Sequence, residues 1–390
     1  MRLRSIDILR ALTMFFMIWV NDFWTLKEVP KWLEHAKASE DYLGFSDIIF
    51  PLFLFIVGLS IPLAIKNRLG RGDSQWTIAR HILIRSFSLL LIGVYMVNYE
   101  TAYDDGIIIG KYLWCIFMAV AVFLIWTHWK KSPVPKKWHF PLQVLGILVL
   151  LFLAIIYKGG ASGEHWMRTQ WWGILGLIGW AYLVNALVFL YARGNFAIMI
   201  AAWLVFNILS VLGQTEMALK PDGVFSYAST ILGGTVPGFT TAGIVASLVF
   251  DKWSKASIKQ AYAILVAIGV ICLIYGLGTR PLWGISKLRG TPSWLAVCSA
   301  MGFMLFALLH YIADKKKIIN WARIIAPAGT ATLTCYLLPY IIYPAREFVN
   351  FRLPDVLNTG IIGLLGSLVF AYLVVALTGW LEKKGIKLKL

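Results

Sequence analysis

His35 stands in the stretch WLEHAKASEDYLGFSDIIFP, residues 32–51, where alternating charges give way to an apolar run. Imidazole is the side chain whose ordinary pKa lies nearest neutrality, so it serves as base, acid or nucleophile. Asp47 follows at the edge of the apolar run. A carboxylate against an imidazole fixes its tautomer and stabilises its protonated form. The spacing alone does not bring the two together, and a lone loop histidine is ordinarily just solvated.

Other residues could join such chemistry. Asn21 ends the first apolar run and offers both a donor and an acceptor. In SIDILR, Ser5 is expected as a helix N-cap, Asp7 occupies the first turn, and Arg10 lies three residues on, on the same face. That pattern reads either as a capped helix start with an internal ion pair, or as a guanidinium facing an anionic ligand such as a phosphate. The stretch TRPLWGISKLRGTPS, residues 279–293, carries Arg280, Lys287 and Arg289 and no acid. It is either a tolerated basic loop or an anion-facing surface. Gly233, Gly234, Gly238 and Gly243 with Pro237 mark an irregular helix, built for close packing or broken to line a cavity.

The elements that position these residues are membrane helices. Of 390 residues, 59% are hydrophobic and 14% charged, where soluble domains carry about 25% charged residues. Apolar runs of membrane-spanning length predict an all-α polytopic membrane protein of about twelve helices, with no separate soluble domain. The predicted spans are 8–24, 47–65, 82–98, 112–128, 141–157, 171–191, 196–213, 228–250, 260–278, 294–312, 324–343 and 360–381. The start, MRLRSIDILR, is too short and charged for a signal peptide, so the first run is retained as a span.

The net charge of +17 is read from its placement, with no nucleic acid implied. About twice as many Lys and Arg fall on the N-terminal side of the spans as on the other, which predicts N-in and C-in. His35 then faces outward. The four cysteines all fall in apolar runs without metal spacing, so core packing is expected and no metal.

Local signals sharpen the outer mouth. Ser46 is expected to cap the second helix. Pro51 cannot donate to the carbonyl of Asp47, which should leave that oxygen free and bend the helix opening. Mixed charge from Lys27 to Asp41 suggests a short surface helix. Trp24, Trp32 and Tyr42 flank the histidine, as an interfacial belt or as stacking faces for a sugar. Span interiors hold almost no carboxylates, which weighs against an ion-coupled transporter. A transporter or flippase of a glycan or lipid-linked substrate remains the competing class, since twelve helices suit it too.

The segment RLRSIDILRA, then Asn21, then His35-Ala36, then SDIIFPLFLFIVGLS resembles the opening of the heparan-α-glucosaminide N-acetyltransferase family, within the wider transmembrane acyltransferases. Weaker likenesses recur at WWGILGLIGWAYLV, KPDGVFSYASTILGGTVPG, ISKLRGTPSW and APAGTATLTCYL. The resemblance implies one transmembrane acyltransferase domain over 1–390, with 112–157 as an extra helix pair. It implies acetyl transfer from cytosolic acetyl-CoA to an amino sugar or glycan across the membrane. It further implies His35 as the essential residue, as base or transient acetyl carrier, with Asp47 and Asn21 beside it. Asp7, Arg10, Gly233, Gly234 and Lys287 are the residues expected to bind the cofactor. A homodimer in the bacterial cytoplasmic membrane, in contact with membrane lipid, is the implied setting.

Overall fold

A computed structural model describes residues 3–219 and 223–390. Arg2, at the head of the opening motif, and Lys220, Pro221 and Asp222, within the KPDG motif, lie outside the described residues. Helices account for almost all regular structure, and the described residues contain isolated bridges but no strand.

The helices are α1 (Arg4–Asn21), α2 (Ser46–Leu69), α3 (Gln75–Glu100), α4 (Lys111–Trp126), α5 (His139–Ile155), α6 (Ile174–Tyr191), α7 (Phe196–Leu212), α8 (Ser229–Leu232), α9 (Thr235–Trp253), α10 (Ile258–Gly278), α11 (Arg280–Trp283) and α12 (Pro292–Leu309). Then follow α13 (Ala326–Thr330), α14 (Thr332–Leu337), α15 (Pro339–Phe348) and α16 (Gly360–Lys383).

Each of the twelve apolar runs is occupied by helix, but they are not twelve equal spans. Among the described residues, seven helices are long and apolar enough to cross a membrane, or up to eight if the bent pair Ser226–Leu232 and Thr235–Trp253 is one span. The others differ for physical reasons. The helix α1 carries Arg4, Asp7 and Arg10 in its opening turns. The helices α4 and α7 are apolar but have 16 and 17 residues. Run 324–343 is divided into α13, α14 and α15, with Pro327 and Pro339 each in the first turn of a new helix, where a missing N–H costs nothing. The chain is an integral membrane protein on this evidence.

The helices gather into two compact units. The first comprises the chain start through Thr13, Pro30–Phe87 and Leu177–Trp321. It holds the His35 loop, α2 and α7–α12. The second comprises Met14–Val29, Ser88–Gly176 and Ala322–Leu390, with α4, α5 and α13–α16. In that second unit α4 and α5, the helices of the 112–157 segment, pack on each other.

The centre of the first unit is the contact of α2 with α9. A Cβ at Gly58 would fall on the Thr240 carbonyl oxygen, and one at Gly243 on that of Phe55. The glycines therefore let the two backbones touch, and Thr240 Oγ1 donates to the Leu54 carbonyl at 3.2 Å. The Phe55 ring then meets Phe303 of α12 edge-on, with centroids 5.2 Å apart. Pro237 lies in the first turn of α9, and its carbonyl is taken by Asn185 Nδ2 of α6 at 3.1 Å and by Thr241 Oγ1 at 2.8 Å. At these positions the small residues serve close packing.

Gly243→Val is accordingly expected to cost about 1–3 kcal/mol or more by overpacking. Its melting temperature in detergent should drop well below that of the wild type. Equal melting of the two would show that the contact tolerates separation.

Candidate active site

The histidine loop is shaped by what its backbone groups bond. The expected surface helix over residues 27–41 is absent. The loop instead folds back on the start of α2: Phe45 N donates to Trp32 O at 2.8 Å and Ser46 N to Leu33 O at 3.2 Å. The N–H of Ala36, which such a helix would use, and that of Gly44 just beyond it are spent on the Asp47 carboxylate, at 3.0 and 3.2 Å to Oδ2. Buried Leu33 and Ala36 anchor the chain on either side of the ring. Ser46 is not a cap either, since its hydroxyl donates to the Leu33 carbonyl. Gly44 has no room for a side chain, because a Cβ there would strike the Glu34 carbonyl oxygen.

His35 Nδ1 lies 2.7 Å from Asp47 Oδ1. The carboxylate is 1% exposed and the imidazole 45%. Asp47 thus accepts three hydrogen bonds at its carboxylate, two from backbone and one from the ring. Such a carboxylate is an acceptor only, so Nδ1 carries the proton and Nε2 holds the free lone pair. Chemically this is a base or nucleophile of fixed orientation on a half-exposed ring.

The second expectation at the helix mouth, a free Asp47 carbonyl left by Pro51, is met with a partner the sequence did not name. Trp294 Nε1 of α12 donates to that oxygen at 3.0 Å. The helix α2 continues through Pro51 and Pro62. A buried carbonyl without a partner would cost about 1–3 kcal/mol, so the indole repairs what the proline removed and fastens α2 to α12.

Lys287 also reaches this place, its Nζ 3.4 Å from His35 Nδ1. The contact is not a hydrogen bond between these two atoms, because a ring N–H and an ammonium are both donors. Burial lowers the Lys287 pKa from its ordinary value, while the charge of Asp47 opposes that shift. Its turn is built from buried Ser286 and Thr291, with Ser286 N donating to Thr291 Oγ1 at 3.0 Å.

The remaining expected residues fall elsewhere. Asp7 and Arg10 form an ion pair of 3.4 Å, and Arg10 Nη2 donates to Ser60 Oγ at 2.8 Å. The ion pair read from their spacing is present, whereas Ser5 lies inside α1, which begins at Arg4, and does not cap it. Gly233 ends α8. Gly234 has φ +72°, and a Cβ there would strike the Phe206 carbonyl oxygen. These two glycines break the helix by 45° and set Thr235 so that its hydroxyl donates to the Gly290 carbonyl at 2.7 Å. Their contact is therefore with the turn that bears Lys287.

Asn21 closes α1 in the second unit and is exposed. The buried polar group there is its neighbour Asp22, which accepts from Tyr343 Oη at 2.6 Å. Tyr343, like Trp294, lies far along the chain, and nothing local marks either. The four cysteines are free and buried. No group of three or more His, Cys, Asp or Glu gathers for a metal among the described residues.

Comparison with known proteins places the segment that carries this site within a matched region. Residues 2–160 match the family described as heparan-alpha-glucosaminide N-acetyltransferase, catalytic. The mouse heparan-alpha-glucosaminide N-acetyltransferase is 26% identical over 360 residues, covering 81% of this chain and 50% of that protein. The human protein of the same name is 37% identical over 101 residues, 25% of this chain and 14% of its own length. The chain therefore spans half or less of the length of these curated relatives. The matched segment contains His35 and Asp47, and the resemblance of this chain to the heparan-alpha-glucosaminide N-acetyltransferase family is thereby shown.

Proposed function

We propose that this chain is a membrane-embedded acyltransferase that moves an acetyl group from acetyl-CoA to a sugar or glycan acceptor. One observation carries the reading: a half-exposed imidazole whose Nδ1–H is bound to a buried carboxylate, leaving Nε2 as its free basic lone pair. The name of the relatives supplies the reaction class. A thioester carbonyl needs an unprotonated nitrogen or an activated acceptor, and Nε2 fits either need. With the N-terminus taken as inside and the first helix as one crossing, His35 faces the outer side, while the donor comes from the cytosol.

Two routes use the same atom. In one, Nε2 takes the proton of the acceptor amine or hydroxyl as its N or O attacks the thioester carbon. The C–S bond breaks, and Nε2 returns the proton to the departing thiolate. In the other, Nε2 itself attacks, the thiolate leaves, and the acetyl group rests on the ring until the acceptor displaces it and loses its proton. In both, Asp47 holds Nδ1–H and stabilises the cationic ring. Asn21 is proposed to hydrogen-bond the thioester oxygen or the acceptor. Asn21→Ala should then lower kcat/KM, and an unchanged value would remove it from the reaction.

The test is purified full-length protein with acetyl-labelled acetyl-CoA and a panel of hexosamines and glycans, with His35→Ala beside it. Label in the acceptor with wild type only supports the proposal. Transport of a glycan without covalent change would favour the flippase class instead. Omitting the acceptor separates the routes: mass spectrometry finds acetyl on the His35 peptide in the second and none in the first.

A further inference from the structure

The loop bearing His35 and the loop bearing Lys287 are clasped together. Arg280 Nε donates to both oxygens of Asp41, at 3.0 and 2.8 Å, and its Nη2 to the Asp41 carbonyl at 3.1 Å. Ile285 N donates to Asp41 Oδ1 at 2.7 Å, and Tyr42 N to the Ile285 carbonyl at 3.2 Å. Gly284 turns the chain at φ +68° beside Asp41. From the other side, Thr235 holds the Gly290 carbonyl. A side chain anchored at both ends of its turn is placed, not merely passing by, and its ammonium is set 3.4 Å from the ring.

We propose that Lys287, held by the Asp41–Arg280 clasp, tunes His35: its charge opposes that of Asp47 and keeps the imidazole unprotonated and quick to release an acyl group. A cation near a base disfavours protonation of that base. The charge of Asp47 acts in the opposite sense. The same opposition acts on an acyl group at Nε2, because the acylated ring also carries positive charge.

Other groups nearby do not reverse the sign. Asp47 faces the ring from α2, and the thiol of Cys298 on α12 is buried. Asp41 is occupied by Arg280, with Arg289 close by. On the ring's own loop, Glu40 pairs with Lys31 at 3.0 Å and accepts from Lys37 N, while Glu34 and the Lys37 side chain are exposed. Lys287 is thus a positioning residue acting through His35. Its consequence for transfer rests on the acyltransferase reading, whereas its effect on His35 titration does not.

The test uses diethyl pyrocarbonate, which acylates only the unprotonated imidazole, on the intact protein in detergent. The rate at His35 is followed by peptide mass spectrometry from pH 5 to 9. In Lys287→Gln the midpoint should rise by about 1 unit, with roughly tenfold slower labelling at low pH and convergence at high pH. Lys287→Arg should keep the wild-type midpoint. Arg280→Gln, which leaves Lys287 in the chain but opens the clasp, should shift the midpoint in the same direction by less. Superimposed profiles for Lys287→Gln and wild type would overturn the proposal, and a wild-type profile for Arg280→Gln would overturn the part assigned to the clasp. Loss of acetyl transfer in the wild type would sink the acyltransferase reading and leave this titration readable.

Discussion

Replacing His35 by alanine is expected to lower acetyl transfer by about a thousandfold, within the 10²–10⁴ range that a positioned acid or base contributes. The protein should still purify and melt close to wild type. The reason lies in the asymmetry of the pair. The imidazole is half exposed, so little packing is lost, whereas Asp47 is buried and would be costly to leave alone. It is not left alone. Ala36 N and Gly44 N still donate to Oδ2, and the Lys287 charge remains nearby. Transfer rates and melting curves for the two proteins measure both halves of the expectation. Transfer that persists within tenfold in His35→Ala would remove the ring from the chemistry.

Asp47→Asn should act almost as strongly, with a fall of about 10²–10⁴ by analogy with other carboxylate–imidazole pairs. The amide is nearly the same size, so the effect is one of hydrogen-bond direction. Its oxygen must turn to the two backbone N–H donors at Ala36 and Gly44. Its NH2 then faces His35 Nδ1, which can only accept, and the ring proton moves to Nε2. The atom meant to attack or to take a proton becomes a donor. Raising the pH cannot reverse this, because the neutral ring itself has the wrong tautomer. If activity returned at a shifted pH, Asp47 would be setting the basicity of His35 and not its tautomer. Stability should fall by about 1–3 kcal/mol for the lost charge-assisted bond.

Much of this was legible without coordinates because it is local. Apolar length and low charge declare membrane helices wherever the chain sits. The missing N–H of Pro51 and the place of Asp47 in a first turn are properties of a few adjacent residues. Even the idea that an Asp at a helix mouth could orient a nearby histidine needs only residue types. Local reading failed where backbone groups had another use. Charges at helical spacing from Lys27 to Asp41 suggested a surface helix, but the N–H of Ala36 within it was claimed by Asp47. Ser46, a capping residue by type, gave its hydroxyl to Leu33.

The sequence by itself determined that the chain is a helical membrane protein, that His35 precedes a helix opened by Asp47, and that one basic loop stands out. Only the tertiary structure decided that His35 and Asp47 touch, that Trp294 takes the carbonyl Pro51 frees, and that Lys287 sits on the ring from 252 residues away. A helix advertises its unmet hydrogen bonds and charges in its own residues. Which distant group answers them depends on how α2, α9 and α12 pack, and glycines such as Gly58 and Gly243 permit that packing without naming the partner.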